Sequence, residues 1–167
     1  FDTTMRGWIA RTFQADFYIS SDGAQTASSP SRIPPAIWQS VVTNAAVARA
    51  NVIQMQPIQI HGVSTLLVGN RLDFFRDYAH PAWVSAPVND DIFNPDRNAS
   101  LALVSESFSA RFGVRRGSTV TVPTPNGPHR VTVAGIFSDY GNERGSLLVE
   151  RRQGERERIT IRVEKRG

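Results

Sequence analysis

Residues 101–150 constrain the fold most, because strand patterns alternate there with clearly marked turns. The apolar run 101–104 predicts a strand. Ser105 follows it and is typical of a helix N-cap, with Glu106 favourable in the first turn. Phe108 and Phe112 stand four residues apart, so they share one face of the short helix that this spacing predicts.

A β-hairpin is predicted directly after this helix. Gly113 ends the helix in the left-handed conformation that glycine accepts readily. Residues 119–122 form a β-rich run, Asn126-Gly127 is a strong turn signal, and residues 130–136 return as the second arm. Residues 146–149 predict a further strand.

The sequence Asp139-Tyr140-Gly141 predicts a structural corner before that last strand. An aspartate accepts hydrogen bonds from backbone N–H groups two residues further on, and Gly141 is expected to adopt a positive φ. We expect the Tyr140 ring to pack and its hydroxyl to find a partner. None of these roles involves catalysis.

The rest of the chain predicts a sheet with one main helix. The predicted elements are a helix over 2–13, a strand over 15–20, a loop over 21–31, the main helix over 33–50 with Asn51 as its cap, a hairpin of strands 52–61 and 64–70 with Pro57 at an edge or bulge, a short helix over 74–78, and a closing strand over 158–164. A strand, helix, strand and strand in this order are typical of an α/β unit.

Composition limits the possible classes of site. The chain contains no cysteine, which excludes disulfides and thiolate metal sites. No apolar run approaches the roughly 18 residues of a membrane helix, and no signal peptide is apparent. The abrupt start at Phe1 leads us to expect a fragment of a longer protein.

The positive charge is concentrated in the C-terminal third. Residues 111–167 carry 12 basic and 6 acidic side chains, whereas residues 1–110 carry 7 and 9. Such a region is able to meet nucleic acid, anionic lipid or an acidic partner. We favour a solvated surface, because the arginines are interleaved with glutamates.

The order of motifs resembles one known family. In order, the chain has a strand followed by Val-Ser-Glu, a short helix, Gly-Val-x-x-Gly ending at Gly117, a hairpin, Val-Ala-Gly135-Ile-Phe-x-Asp-Tyr-Gly and Gly-Ser-Leu-Leu-Val. This order is similar to that of the extracytoplasmic domain of FtsX/MacB-type ABC transporter permeases. The start, Trp8-Ile-Ala-Arg-Thr-Phe-Gln-Ala-Asp-Phe-Tyr-Ile, resembles these domains too. The resemblance covers most of residues 1–150.

This resemblance implies an α+β fold of two lobes. Residues 1–100, closed by a strand at 158–165, would form a mixed α/β, porter-like lobe, and residues 101–157 a small β-rich, sabre-like lobe inserted in it. Relatives usually carry a longer helical passage where this chain has only residues 151–157. How the first lobe is completed is therefore left open at this point.

The resemblance also implies a role without chemistry and without a cofactor. Such a domain faces the periplasm or the cell exterior, belongs to an inner-membrane permease and works with a separate cytoplasmic ATPase. It would act on a periplasmic partner or on a lipophilic or peptide substrate, and the full-length protein would be dimeric. Candidate contacts are Phe74, Phe75, Trp83 and Phe93; alternatively, these rings fill the seam between the lobes.

Two other functions remain as alternatives. Six arginines around the β-unit favour a basic β-barrel-like module that binds single-stranded nucleic acid, although strand-borne aromatic residues are scarce: Arg115, Arg116, Arg130, Arg144, Arg151 and Arg152. A hydrolase using Ser105 or Asp139 with His129 lacks any catalytic motif.

Metal binding has weak support in the sequence. His61, His80 and His129 are scattered, so a metal site would need a convergence that their spacing does not indicate. The acidic residues Asp90, Asp91 and Asp96 do not have EF-hand spacing.

Overall fold

The computed structural model describes residues 17–19, 33–124, 126–151 and 159–165. Over these residues the elements are β1 Phe17–Ile19, α1 Pro35–Val42, β2 Val47–Ile60, β3 Val63–Asn70, α2 Leu72–Phe74, β4 Trp83–Ser85, β5 Leu101–Ser105, α3 Glu106–Phe112, β6 Thr119–Thr124, β7 Gly127–Phe137, β8 Ser146–Glu150 and β9 Ile159–Lys165. A π-helical turn, Phe75–Ala79, continues α2, and a 3-10 helix, Asp90–Phe93, precedes β5. The predicted helix at 2–13 and loop at 21–31 lie outside the described residues, as does most of the 151–157 segment.

The described strands form one mixed sheet in the order β1-β9-β2-β3-β8-β5-β7-β4, with β6 pairing β7. The β3–β8 and β5–β7 pairs are parallel, and the other pairs are antiparallel. The α+β prediction is confirmed. The predicted closing strand is also confirmed, since β9 lies between β1 and β2. The division into two lobes remains a prediction; the strands assigned to them are joined in this sheet through β3 and β8.

The unit formed by β5, α3 and the following hairpin agrees with its sequence signals. The Ser105 hydroxyl accepts a hydrogen bond from the Phe108 N–H at 3.2 Å, which confirms the cap. The Phe108 and Phe112 rings lie 4.5 Å apart, and Gly113 ends the helix at φ +64°. Strands β6 and β7 meet at the predicted Asn126-Gly127 turn.

The predicted main helix is wrong beyond its first half. It begins at Pro35, two residues after the predicted start, and ends at Val42, and Val47 already belongs to β2. The Asn44 side chain accepts a hydrogen bond from the Ala46 N–H at 2.9 Å, a local turn that competes with helix. Residues 47–50 then pair with β9, and these non-local hydrogen bonds override the helix preference of the alanines.

Asn51 does not cap the helix as predicted. It lies in β2 at 2% exposure, and its side-chain amide donates to Asn70 Oδ1 at 2.6 Å. The edge position predicted for Pro57 is confirmed within the described strands. Pairing of β2 with β9 stops at Gln54, so Pro57 pairs only with Leu66 of β3.

Among the described residues, one face of the sheet carries a sealed core over β2, β5, β7 and β8; we call it the closed face. Its core contains side chains from β2, β5, β7 and β8, together with α3 and the β6–β7 hairpin folded over them. Phe108 of α3 is fully buried at its centre, with Val104, Val133 and Leu147. Burial of one such side chain stabilises the fold by about 1.5–3 kcal/mol, so this cluster is a major source of stability.

The described residues cover only part of the width of the opposite face, which we call the open face. Leu72, Ile92 and Phe93 of the 72–98 segment pack on its β5, β7 and β8 side. Over β2 and β3 the floor side chains stay half-buried, as at Ile53, Met55 and Leu66. A groove results along β2 and β3.

Candidate functional site

The predicted corner, residues 139–141, lies in the segment 138–145, which we call the corner and which forms one end wall of this groove. Asp139 Oδ1 accepts from the Gly141 N–H at 2.9 Å, which confirms the predicted aspartate turn. Asn142 accepts from the Arg144 N–H at 3.1 Å and donates its amide to the Gly145 carbonyl at 3.1 Å. The corner is thus two successive turns stabilised by short polar side chains.

Two details of the corner differ from prediction. Gly141 does not have a positive φ; Gly145 does, at +82°. A Cβ on Gly145 would lie 2.7 Å from the Phe108 Cα, so this glycine lets the chain pass directly over α3. The Tyr140 ring does not pack as predicted and is 59% exposed, because it points away from the core towards the groove.

Three hydrogen bonds attach the corner to α3. The Ser107 hydroxyl donates to the Asn142 carbonyl at 3.0 Å, and the Arg111 guanidinium donates to the Glu143 carbonyl at 3.1 Å. The Ser138 hydroxyl donates to Glu106 Oε2 at 2.9 Å. Since α3 is anchored in the closed-face core by Phe108, these bonds fix the wall of the groove to that core.

Ser105 lies where β5, α3 and β8 meet. Its hydroxyl oxygen accepts from the Phe108 N–H and also from the Ser146 N–H at 2.9 Å, and the residue is fully buried. The structure does not bring Ser105, Asp139 and His129 together as a catalytic group. Asp139 bonds the Gly141 N–H, and a His129 ring nitrogen lies 3.2 Å from the Ala99 carbonyl.

The other two predicted motif glycines occupy tight positions. Gly117 has a φ of +88°, and its N–H donates to the Val133 carbonyl at 2.7 Å. A Cβ on Gly135 would come within 3.0 Å of the Pro87 ring, so the 86–88 segment packs directly on β7. Their place in a shared structural signature remains a prediction.

The groove itself has a volume of about 680 Å³. Its floor is aliphatic, from β2, β3 and β8, and one long wall is aromatic, from Phe74, Phe75 and Phe137. At the Asn51 end, the Arg49 guanidinium donates to the Tyr78 hydroxyl and joins the floor to this wall. Sequence patterns did not indicate this groove, because four separate stretches of the chain line it: 51–57, 64–70, 74–82 and 137–148.

The four candidate contact aromatics lie on the open face. Phe74 and Phe93 are buried at 3% and 8% exposure, and Phe75 and Trp83 are half-buried against the same core. Phe75 meets Phe137 edge to face at 5.2 Å. Phe74 and Phe75 both line the groove, but Phe74 and Phe93 offer little surface to a partner in this conformation. Partner contact stays a prediction.

Asp139 is the carboxyl group of the groove. Burial raises the pKa of Asp139, and the hydrogen bond from the Gly141 N–H opposes that rise. A neutral carboxyl is therefore reached more easily here than in water. Beside it, exposed Arg144 supplies positive charge at the same end of the groove.

Sequence reasoning missed Glu150, which positions the far part of the groove wall. Its Oε2 atom accepts from the Leu72 N–H at 3.1 Å and from the Asn98 amide at 2.9 Å. It thereby holds α2 and the segment before β5 against β8. Burial raises the pKa of Glu150, while these two hydrogen bonds lower it. The only available signal was an acid ending a buried strand.

The described histidines and aspartates do not converge. His61 and His80 are exposed turn residues with φ of +50° and +42°, and His129 is exposed on β7. Within the described ranges no group of three or more His, Asp or Glu side chains is placed to hold a metal ion. Asp91 instead pairs with Arg97 at 3.2 Å.

Two of the candidate nucleic-acid arginines have other partners. The Arg116 guanidinium donates to the Ala86 carbonyl at 2.5 Å, and Arg151 lies over the Trp38 ring at 5.9 Å. Arg115, Arg130 and Arg144 are exposed, and Arg152 lies outside the described residues.

Known proteins were compared at the levels of sequence and structure. No family model and no curated protein matches the sequence. The periplasmic region of MacB from Actinobacillus actinomycetemcomitans is similar in structure, with a TM-score of 0.54 and 13% identity over 89% of this chain and 72% of that one. The extracellular domain of the noncanonic ABC-type transporter YknZ from Gram-positive bacteria is also similar, with a TM-score of 0.54 and 14% identity. The match covers 90% of this chain and 82% of that one.

The chain has the fold of ABC-transporter extracytoplasmic domains. The resemblance predicted from residues 101–150 is thus confirmed for the fold. Both structural neighbours are periplasmic or extracellular domains of transporters. Among the described residues, no helix has the length and apolar character needed to cross a membrane.

Proposed function

We propose that this chain is the extracytoplasmic domain of an ABC transporter permease, where it relays ATPase-driven movement and performs no catalysis itself. The observation that carries the proposal is the shared fold with two ABC-transporter extracytoplasmic domains over about nine-tenths of the chain. The candidate catalytic side chains support it, because Ser105 and Asp139 are engaged by backbone N–H groups.

The sheet supplies a route for transmitting movement. Phe17 of β1 pairs with Val163 of β9, so the chain enters and leaves the described sheet at one edge. A displacement applied at this edge passes through continuous strand pairing to β8. The corner precedes β8 in the chain and transmits the displacement to α3 through the hydrogen bond between Ser107 and Asn142. Rigid-body movement of the unit is the expected response, because a packed core does not deform continuously.

The remaining parts of the proposal concern location and partners. The domain lies on the periplasmic or extracellular side of the cytoplasmic membrane, in a dimeric permease that works with a cytoplasmic ATPase. It acts in export, in lipoprotein or lipid handling, or on a periplasmic partner protein. No nucleic acid takes part in this function.

The first test reads the coding region on either side of the chain. We expect membrane-length apolar segments on the same polypeptide and an ATPase with a phosphate-binding loop on it or beside it. Soluble segments on both sides would contradict the proposal. Salt-dependent binding to single-stranded nucleic acid would then be the next assay.

The second test measures movement in the full-length protein. The described domain has no cysteine, and Val88 is 81% exposed, so Val88→Cys places a spin label at an inert site. We expect the distance between labels of two protomers to differ between nucleotide-free and ATP-trapped states. An unchanged distance in a protein with working ATPase would rule out the relay.

A further inference from the structure

The open-face groove has the size and lining of a small-molecule site. Its volume of about 680 Å³ falls within the roughly 300–1,000 Å³ that such sites occupy. Ile53, Met55 and Leu66 on its floor are neither fully exposed nor fully buried. Covering such a partly exposed aliphatic floor with an apolar molecule removes apolar surface from water and therefore lowers the free energy.

The shape of the floor favours an elongated apolar body. β2 and β3 run side by side, with Met55 opposite Val68 and Pro57 opposite Leu66. The aromatic residues Phe74, Phe75 and Phe137 line the groove beside this strip. A flexible aliphatic chain matches this long strip better than a compact polar molecule, whose polar groups would lose hydrogen bonds to water there.

The carboxyl and guanidinium groups of the lining lie at the corner end of the groove, whereas the amides of Asn51 and Asn70 lie at the other end. Ser138, Asp139, Asn142 and Arg144 all line the corner end, and together they include one carboxyl and one guanidinium group. A head group of either single charge would meet one group of like charge at this end, Asp139 or Arg144. A neutral head with several hydroxyl groups satisfies the carboxyl, amide and guanidinium groups without burying a new charge.

We propose that the groove binds one molecule of a single-chain amphiphile. Its aliphatic chain covers the β2–β3 floor, and its uncharged polar head lies at the 138–144 corner. The site is a ligand site in its own right and does not require the movement proposed above.

Calorimetric titration of the 167-residue chain with alkyl maltosides below their micelle concentrations tests this site. We expect saturable one-to-one binding, with a Kd that falls about fourfold for each added methylene until the floor is filled. A decyl chain with a sulfate or trimethylammonium head should bind more weakly. Absence of saturable binding would overturn the proposal, and tighter binding of a charged head would overturn the assignment of a neutral head.

Blocking variants locate the binding. Leu66→Trp fills the floor and should weaken binding at least tenfold, whereas Val84→Trp, at an exposed position outside the groove, should leave it unchanged. Met55→Trp is the second blocker, should Leu66→Trp fail to fold by circular dichroism. Equal binding by wild type and a folded blocker would place the ligand elsewhere and overturn the site. Because the assay needs no ATPase, its failure leaves the distance measurement as a separate test.

Discussion

The two faces of the sheet are built from similar residues but are covered very differently. On the closed face, α3 and the β6–β7 hairpin seal a core in which Val104, Phe108 and Leu147 are inaccessible to water. On the open face, the 72–98 segment covers β5, β7 and β8 but leaves aliphatic side chains of β2 and β3 partly bare. An uncovered apolar strip costs stability, so its presence beside a sealed core points to use by a ligand.

The difference also separates structural residues from candidate functional ones. The corner at 138–145 belongs to both faces: Gly145 rests on α3, whereas Tyr140 points into the groove. Substitutions at structural residues such as Gly145 should alter stability, and substitutions at groove residues such as Tyr140 should alter binding.

The largest effect is expected from Gly145→Ala. The new Cβ would meet the Phe108 backbone at 2.7 Å, and φ is +82°, so steric overlap adds to left-handed strain. We expect a loss of about 3–5 kcal/mol in the free energy of unfolding, measured by urea denaturation. Gly62→Ala is the matched control: φ is +75° but nothing lies within 4 Å, so the loss should be about 1 kcal/mol. Equal losses would show that packing over α3 is not critical.

Ser105→Ala should have the next largest effect. It leaves the N–H groups of Phe108 and Ser146 without their acceptor in a fully buried place. The expected loss is about 2–4 kcal/mol in the same denaturation assay. Exposed Ser40, whose hydroxyl donates to the Ile37 carbonyl, provides the control, and Ser40→Ala should cost less than about 0.5 kcal/mol. A loss at Ser105 as small as the control's would contradict its role at the junction.

Glu150→Gln tests the wall of the open face through pH. Because the folded pKa of Glu150 is raised, the folded chain holds more protons than the unfolded chain between the ordinary and the raised pKa. Wild-type stability therefore falls as pH rises through that window. Glutamine keeps an oxygen for both hydrogen bonds, so the variant should match wild type near pH 4 within about 0.5 kcal/mol and exceed it at pH 7.

The matched control for this pH series is Glu143→Gln at an exposed position. Because this side chain is exposed, its replacement should change the free energy of unfolding at pH 7 by less than about 0.5 kcal/mol. Lower stability of Glu150→Gln at pH 7 would show that the charged form is required to hold α2.

Tyr140→Ala should have the smallest effect on stability. The ring is 59% exposed, so the free energy of unfolding should stay within about 0.5 kcal/mol of wild type. Binding of an alkyl maltoside should nevertheless weaken severalfold, because the ring lines the groove. A stability loss above about 1 kcal/mol would restore the packed role predicted from the sequence.

Local signals in residues 101–150 were sufficient to predict the elements of that region, although not the φ of Gly141 or the exposure of Tyr140. Cap, helix, hairpin and corner each depend on contacts within a few residues, such as the Ser105 cap or the Asp139 turn. The same reasoning failed at 43–50, where an alanine-rich stretch pairs with β9 more than a hundred residues away. Gly145 was missed because its constraint is the Phe108 backbone, which lies far along the chain.

The groove was beyond sequence reasoning for the same physical reason. Along its floor, apolar residues such as Ile53 and Met55 alternate with polar ones. A strand whose apolar face is fully buried would show the same pattern. Only the position of the 72–98 segment decides which of them are covered. Glu150 likewise looks like an ordinary strand-end acid until Leu72 and Asn98 are brought to it.

Methyl-resolved NMR of the chain, titrated with decyl maltoside, tests the contrast between the two faces most directly. We predict saturable shifts for the methyl groups of Ile53, Met55 and Leu66 on the open face, with those of Val104, Val131 and Leu147 unmoved. Shifts spread equally over both sets, or none at all, would contradict the claim that the open face is the ligand-binding surface of this domain.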